Sequence, residues 1–188
     1  MNKLIKLPLF LAAVGTACGL ALAGVNAATA DKLAAREMEK IEQSYKDIFT
    51  SNGYDISSAT KEYASSIQVS VKLEEAGCTG RMIYRGVGAA YTFEVDGYKP
   101  GIKFLVAFAD GKYLGYTDLG NSETPGYGKD LIGTLDDLLK GKSSNNEVFT
   151  SYSGATKTGA PISTAIELAR KDYNENMTYI DSLPTGNE

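Results

Sequence analysis

Two runs decide the fold class: Tyr91-Thr92-Phe93-Glu94-Val95-Asp96-Gly97, and then Gly101-Ile102-Lys103-Phe104-Leu105-Val106-Ala107-Phe108-Ala109-Asp110-Gly111-Lys112. In the first, Tyr91, Phe93 and Val95 alternate with Thr92 and Glu94, the period of a strand with one buried face. Residues 102–109 are almost continuously apolar and predict a more buried strand, which Asp110-Gly111 turns back into residues 112–117. Asp-Gly between such runs is a hairpin signal, because both turn residues tolerate the positive φ that a tight two-residue turn needs. A further alternation, Ile67, Val69, Val71 and Leu73 against Gln68, Ser70 and Lys72, predicts another half-buried strand.

Helical spacing marks the flanks. Leu33, Met38, Ile41, Tyr45, Ile48 and Phe49 fall mostly on one side of a helix over residues 31–49, which Asn52-Gly53 stops. Leu131, Leu135, Leu138 and Leu139 mark a short helix ended by Gly141. Ile162, Ala165, Ile166, Ala169 and Tyr173 mark a third, expected to begin near Pro161 and to end around Tyr179. Val148-Phe149 reads as a brief strand after a polar loop over 142–147, and the tail 184–188 reads as disordered. The fold class is therefore α+β, a mainly antiparallel sheet flanked by helices. The expected organisation is an apolar segment over 1–30, a helix and connection over 31–62, a domain over 63–183 and a tail over 184–188.

Lys3 and Lys6 precede an uncharged run over residues 7–30, and the next charge is Asp31. Twenty-four residues make a helix of about 36 Å, enough for a hydrocarbon core of about 30 Å. Lysines before the run and none just after it predict a cytoplasmic N-terminus with the domain outside the cytoplasm. A cleaved secretory signal is the rival reading, since Ala28-Thr29-Ala30 has the form of a cleavage site. Cys18 as a lipid acceptor fits poorly, with Gly15 three residues before it where Leu is expected. Gly15, Gly19 and Ala23, at i, i+4 and i+8, give one smooth stripe for packing against another membrane helix, and this favours a retained transmembrane anchor.

The remainder has 17 basic residues, the total of 19 less Lys3 and Lys6, against 23 acidic ones, a net charge of −6. That balance excludes a nucleic-acid partner, which needs a basic face. Histidine is absent, which removes Ser-His-Asp catalysis, His-ligated haem and His-bearing zinc sites. Cys18 and Cys78 cannot hold a four-cysteine iron–sulfur cluster, and Cys78 alone in the domain cannot form a disulfide there. Cys78 reads as a small residue in a turn beside Gly77 and Gly80. Redox work would require an organic cofactor.

Two loops carry candidate chemistry. Ser153-Gly154-Ala155-Thr156-Lys157-Thr158 is a small-residue stretch running into a helix, where backbone N–H groups and the helix dipole favour an anion such as phosphate. Its bland reading is a Ser/Thr-rich connection ending in a helix cap. Some thirty residues earlier stands Glu123-Thr124-Pro125-Gly126-Tyr127-Gly128. Gly126 and Gly128 would let that loop lie close against a flat ligand, and Pro125 would stiffen it. Tyr127 is either a stacking partner or a surface aromatic; Glu123 is either a ligand contact or a helix cap.

The apolar strand, the Asp-Gly turn, the 123–128 loop and the 153–158 loop, in this order, resemble the FMN-binding domain found in the G-type component of Rnf complexes and in the C-type component of sodium-pumping NADH:quinone oxidoreductases. The resemblance covers roughly residues 84–173. It implies a membrane-anchored, extracytoplasmic electron-transfer subunit of a redox-driven ion translocase, carrying covalent FMN joined by a phosphoester to Thr156. It also implies a flavin transferase during maturation and integral membrane subunits as partners. The cofactor-binding set so implied is Thr156 with Ser153, Gly154, Ala155, Thr158, Glu123, Thr124, Pro125, Gly126 and Tyr127; no metal is implied. Three positions depart from the family pattern: Thr150 where Asp is usual, Lys157 where an aliphatic residue is frequent, and Tyr127 where Leu is usual. A stand-alone extracytoplasmic FMN carrier and a non-flavinylated assembly module remain the alternatives. If residues 7–30 are retained, N-terminal sequencing of the mature protein will begin before Leu7, whereas a chain starting at Asp31 would overturn the anchor.

Overall fold

The structure is a computed structural model that describes residues 3–59, 61–63, 72–147 and 154–182. It divides into two units, Met1–Glu42 and Gln43–Glu188. Helix α1 (Lys3–Thr50) begins in the first unit. There it is long and apolar enough to cross a membrane. Its apolar side chains are exposed, among them Leu9, Phe10, Leu11, Leu20 and Leu22. The hydroxyls of Thr16 and Thr29 donate to the carbonyls of Ala12 and Val25, both at 2.8 Å, so neither needs water.

The second unit is built on an antiparallel sheet of five strands in chain order: β1 (Lys61–Tyr63), β2 (Cys78–Tyr84), β3 (Gly88–Val95), β4 (Ile102–Ala109) and β5 (Lys112–Gly120). Strands β3 to β5 follow the alternation and the apolar run that predict them. Asp110 and Gly111 take φ of 51° and 67°, and the residues flanking them, Ala109 and Lys112, pair across the hairpin. Positive φ at both central positions is the tight turn expected of Asp-Gly.

Other elements differ from the sequence reading. Strand β2 escapes detection because buried Arg81 stands among Met82, Ile83 and Tyr84, so no polar–apolar period is visible. Cys78 lies at the start of β2 rather than in a turn, since the preceding 3-10 turn (Glu74–Ala76) closes at Gly77 with φ 79°. Burial pushes the Cys78 thiol up to about 11. Of the strand expected over 67–73, residues 67–71 lie outside the described residues, and Leu73 has helical dihedrals ahead of the 3-10 turn. Val148-Phe149 and the tail 184–188 also lie outside the described residues.

The sheet is covered on both faces. On one, Tyr45, Ile48 and Phe49 at the end of α1 are buried, with the Phe49 and Tyr84 rings 5.0 Å apart and the Tyr45 hydroxyl 3.0 Å from Thr92 Oγ1. Leu33 and Met38, expected on the same apolar side, are exposed. Glycine is needed at position 80, where a Cβ would come within 2.6 Å of Thr92 Oγ1 and 3.0 Å of the Tyr45 hydroxyl. Gly53, with φ 84°, follows the helix end as the Asn52-Gly53 signal predicts.

Helices α2 (Gly128–Leu139) and α3 (Thr156–Ile180) belong to the other side of the core. Phe93, Phe104 and Tyr116 stack in a row at 5.4 and 5.1 Å, and Phe108 stacks on Tyr173 at 5.0 Å. Ile162, Ala165, Ile166, Ala169 and Tyr173 are all fully buried. The expected start of α3 near Pro161 is wrong by five residues, because the helix begins at Thr156. Proline lacks an N–H and so withholds one bond from the carbonyl four residues back, but near a helix start the turn before it can still form. Here Thr158 N and Gly159 N donate to Ala155 O at 3.1 and 2.8 Å.

An ion pair is enclosed between sheet and helix. Arg81 Nε stands 3.1 Å from Asp172 Oδ2, and the Tyr91 hydroxyl donates to the same oxygen at 2.7 Å. Burial raises the Asp172 carboxyl above its ordinary range, while the Tyr91 hydrogen bond and the Arg81 charge pull it back down. The remaining guanidinium nitrogens of Arg81 find no hydrogen-bond acceptor among the described residues. Removing one partner of a buried pair strands the other charge. Asp172→Ala is therefore expected to cost about 3–5 kcal/mol in denaturant unfolding, and the double replacement Arg81→Met/Asp172→Leu is expected to recover most of it.

Candidate functional site

Glu123 organises two loops. Its side chain is 4% exposed, and Oε1 accepts the Lys99 N–H at 2.9 Å. Residues 96–101, which join β3 to β4, are held in turn by Gly97 N donating to Lys99 O at 3.1 Å and by Gly101 N donating to Asp96 Oδ1 at 3.0 Å. The Glu123 backbone N–H donates to Asn121 Oδ1 at 3.0 Å, which fixes the approach of its own loop. Oε2 makes no hydrogen bond to any described residue. The carboxylate does not cap α2, whose N-terminus has no side-chain cap.

Small residues let these pieces meet. A Cβ on Gly97 would lie 2.6 Å from Glu123 Oε1, and one on Gly128 would lie 2.5 Å from Glu123 Oε2 and 2.6 Å from Thr158 Oγ1. Gly128 thus brings the start of α2 against the first turn of α3, with Glu123 and Thr158 both buried beside it. Gly126, with φ 83°, continues the loop and donates its N–H to Asp130 Oδ1 at 3.1 Å.

A cavity of about 510 Å³ opens here, lined by Tyr98, Glu123, Thr124, Tyr127 and Gly128 and by every residue from 154 to 158. Its size lies within the span of small-molecule sites, roughly 300–1,000 Å³. Of the residues singled out from sequence, Glu123, Thr124, Tyr127, Gly154, Ala155, Thr156 and Thr158 line this one cavity. Pro125 and Gly126 are exposed in the loop but do not line it, and Ser153 lies outside the described residues, as does Thr150. Thr156 is exposed as the first residue of α3, with exposed Lys157 next to it. Gly154 has φ 87°, and a Cβ there would meet nothing within 4 Å.

Sequence reasoning missed Tyr98. It sits in a loop whose Asp-Gly and Pro-Gly pairs read only as turn signals, and nothing local links it to a segment 25 residues later. The link is the hydrogen bond from Lys99 N to Glu123, which is a tertiary contact. Among the described residues, no group of three or more acidic or cysteine side chains is arranged to hold a metal ion.

The donor set suits a ligand that is part anion and part flat ring. The start of α3 offers a positive dipole end, and Lys157 adds a cation. Two tyrosines and a buried carboxylate line the same space. Because the Gly128 hydrogen fits where no methyl can, Gly128→Ala is expected to cost about 1–3 kcal/mol by forcing Glu123 and Thr158 apart, read as a lowered Tm.

Comparison with known proteins agrees with this geometry. Residues 97–171 match the model of the FMN-binding domain family, a span that holds every residue lining the cavity. The chain is also 25% identical to the G-type component of the ion-translocating oxidoreductase complex of Shewanella baltica (strain OS223), over an alignment of 207 residues covering 97% of this chain and 95% of the relative. The matched span runs from the loop before β4 through most of α3, and over it the chain is similar to the FMN-binding domain family.

Proposed function

We propose that this protein is a membrane-anchored electron-transfer flavoprotein that carries FMN in phosphoester linkage to Thr156, with its domain outside the cytoplasm. The observation that carries the reading is the position of Thr156. It is exposed at the first residue of α3 and lines the same cavity as the 123–128 loop, within the matched domain. A phosphodiester on that hydroxyl would lie at a helix N-terminus, where the dipole stabilises negative charge by about 0.3–1 kcal/mol at an exposed site. Lys157 would add a cation beside it. Gly154 keeps the approach open, and Thr158, buried against Gly128, would brace the floor.

FMN supplies one- and two-electron transfer when bound. The chain's own part is to tether the phosphate, orient the ring and fix its distance from a donor and an acceptor. The relative's membership of an ion-translocating oxidoreductase complex supports membrane-complex subunits as partners, and the proposed linkage requires a flavin transferase in maturation. The apolar helix, with Lys3 and Lys6 before it, supports a single-pass anchor with a cytoplasmic N-terminus.

Co-expression with a flavin transferase tests the linkage. Intact mass should rise by one FMN less water, and the band should fluoresce on a denaturing gel. Thr156→Ser should keep the band, and Thr156→Val should abolish it; a fluorescent Thr156→Val band would sink the assignment. Purification in mild detergent addresses the role, since a component of a larger complex brings integral membrane partners and a stand-alone carrier comes alone.

A further inference from the structure

Exposed apolar side chains are not scattered over the second unit. Among the described residues, its only exposed large hydrophobic side chains are Tyr98, at 67%, and Tyr127, at 63%. Both line the cavity at the start of α3. The same three segments carry exposed lysines: Lys99 follows Tyr98, Lys129 follows Gly128, and Lys157 follows Thr156 and lines the cavity itself. None of the three forms an ion pair with a described residue. Three other lysines are matched by carboxylates, Lys72 with Glu75 at 2.7 Å, Lys103 with Glu94 at 3.9 Å and Lys171 with Glu167 at 3.6 Å. A second exposed group, Lys112, Lys140 and Lys142, stands at the other end of α2, where Tyr113 N donates to Lys142 O and Gly141 N to Tyr113 O, both at 2.9 Å. That group has no exposed large apolar side chain beside it among the described residues.

Next to the cavity the sign of the charge reverses. A hollow of about 360 Å³ is lined by Glu75, Glu94 and Asp96 together with Pro161 and Thr164, on the same loop and helix that supply Tyr98 and Thr156 to the cavity. Two exposed tyrosines among unpaired lysines, bordered by carboxylates, suit protein docking, because aromatic anchors supply contact and charge sets orientation. We propose that this face docks an acidic surface of a redox-partner protein, with Tyr98 and Tyr127 as contact anchors and Lys99, Lys129 and Lys157 as the attracting cations. The inference rests on the FMN reading above, since a cofactor held at Thr156 exchanges electrons with what approaches the cavity. An acidic patch is drawn to the lysines and turned away from the Glu75, Glu94 and Asp96 hollow, so one orientation is selected. The Lys112 group offers cations without an aromatic anchor and serves as the comparison.

The test uses full-length protein in detergent micelles and two soluble one-electron acceptors, plastocyanin with an acidic face and cytochrome c with a basic one. Fluorescently labelled plastocyanin should bind at low ionic strength, more tightly than cytochrome c, and the binding should weaken as salt screens the charges. Lys99→Glu/Lys129→Glu should weaken it about tenfold. Lys112→Glu/Lys142→Glu, with the same change in net charge, should leave it within about twofold. Lys157 stays in place because it adjoins Thr156. Tyr98→Ala and Tyr127→Ala should each weaken binding at low and at high salt, as loss of contact does. In stopped flow with dithionite-reduced flavinylated protein, each electron leaving the flavin takes one plastocyanin copper from Cu(II) to Cu(I), and the flavin's protons pass to the buffer. This rate should rank the variants in the same order. Tighter binding of cytochrome c, equal effects of the two lysine pairs, or tyrosine variants that bind like the parent would each overturn the proposal. Displacement of plastocyanin by phosphatidylglycerol added to the micelles would assign the face to a membrane surface and overturn it as well. Thr156→Val protein should still bind plastocyanin, so a failure of FMN to attach sinks the linkage and leaves the docking face decided by the titrations.

Discussion

The placement of α3 over the sheet depends on one enclosed polar cluster. Arg81 from β2, Tyr91 from β3 and Asp172 from α3 meet in a space none of them shares with solvent. Apolar packing alone would tolerate sliding, since Ile162, Ala165, Ile166, Ala169 and Tyr173 present a fairly uniform stripe. A slip of one helical turn, about 5.4 Å, would separate Asp172 from both partners and strand a charge on each side. Such a cluster adds little net stability over well-packed apolar residues, but it penalises every other register. Sixteen residues earlier on the same rigid element, Thr156 inherits that placement.

The same middle stretch of the helix is fixed by a further set of bonds. The Tyr173 hydroxyl accepts the Gly111 N–H at 3.0 Å, and Ser144 accepts on its carbonyl from Arg170 and Asn174, both at 2.9 Å. The tight β4–β5 turn and the polar stretch after α2 are therefore clamped onto the middle of α3. A segment that reads as a loose polar loop over 142–147 is tied at Ser144, which is fully buried. At the start of α3, buried Thr158 and Glu123 both lie close against Gly128, and Ala155 and Ile162 join the core. Clamps on its middle and small-residue contact at its start leave the cavity where the helix begins.

What the sequence made legible follows from which signals are local. The β3–β4–β5 meander was readable because alternation, an apolar run and Asp-Gly are all short-range patterns. The stripe of α3 was readable for the same reason, although Pro161 drew its expected start five residues too late. Strand β2 was hidden by Arg81, whose burial makes sense only beside Asp172, 91 positions away. The cavity was half readable. The 123–128 and 154–158 segments announce themselves by glycine and hydroxyl content, whereas Tyr98 is recruited by a backbone hydrogen bond to a carboxylate in another loop.

Glu123 shows how one side chain can serve architecture and site together. A carboxylate that is 4% exposed must be compensated, and a single bond to Lys99 N satisfies only one of its two oxygens. Glycines at 97 and 128 let backbone approach the carboxylate where a Cβ would come within 2.6 Å of Oε1 and 2.5 Å of Oε2. Replacing Glu123 by an apolar residue would relieve that cost but release the loop that carries Tyr98. Retaining the acid keeps the two loops together at the cavity they both line.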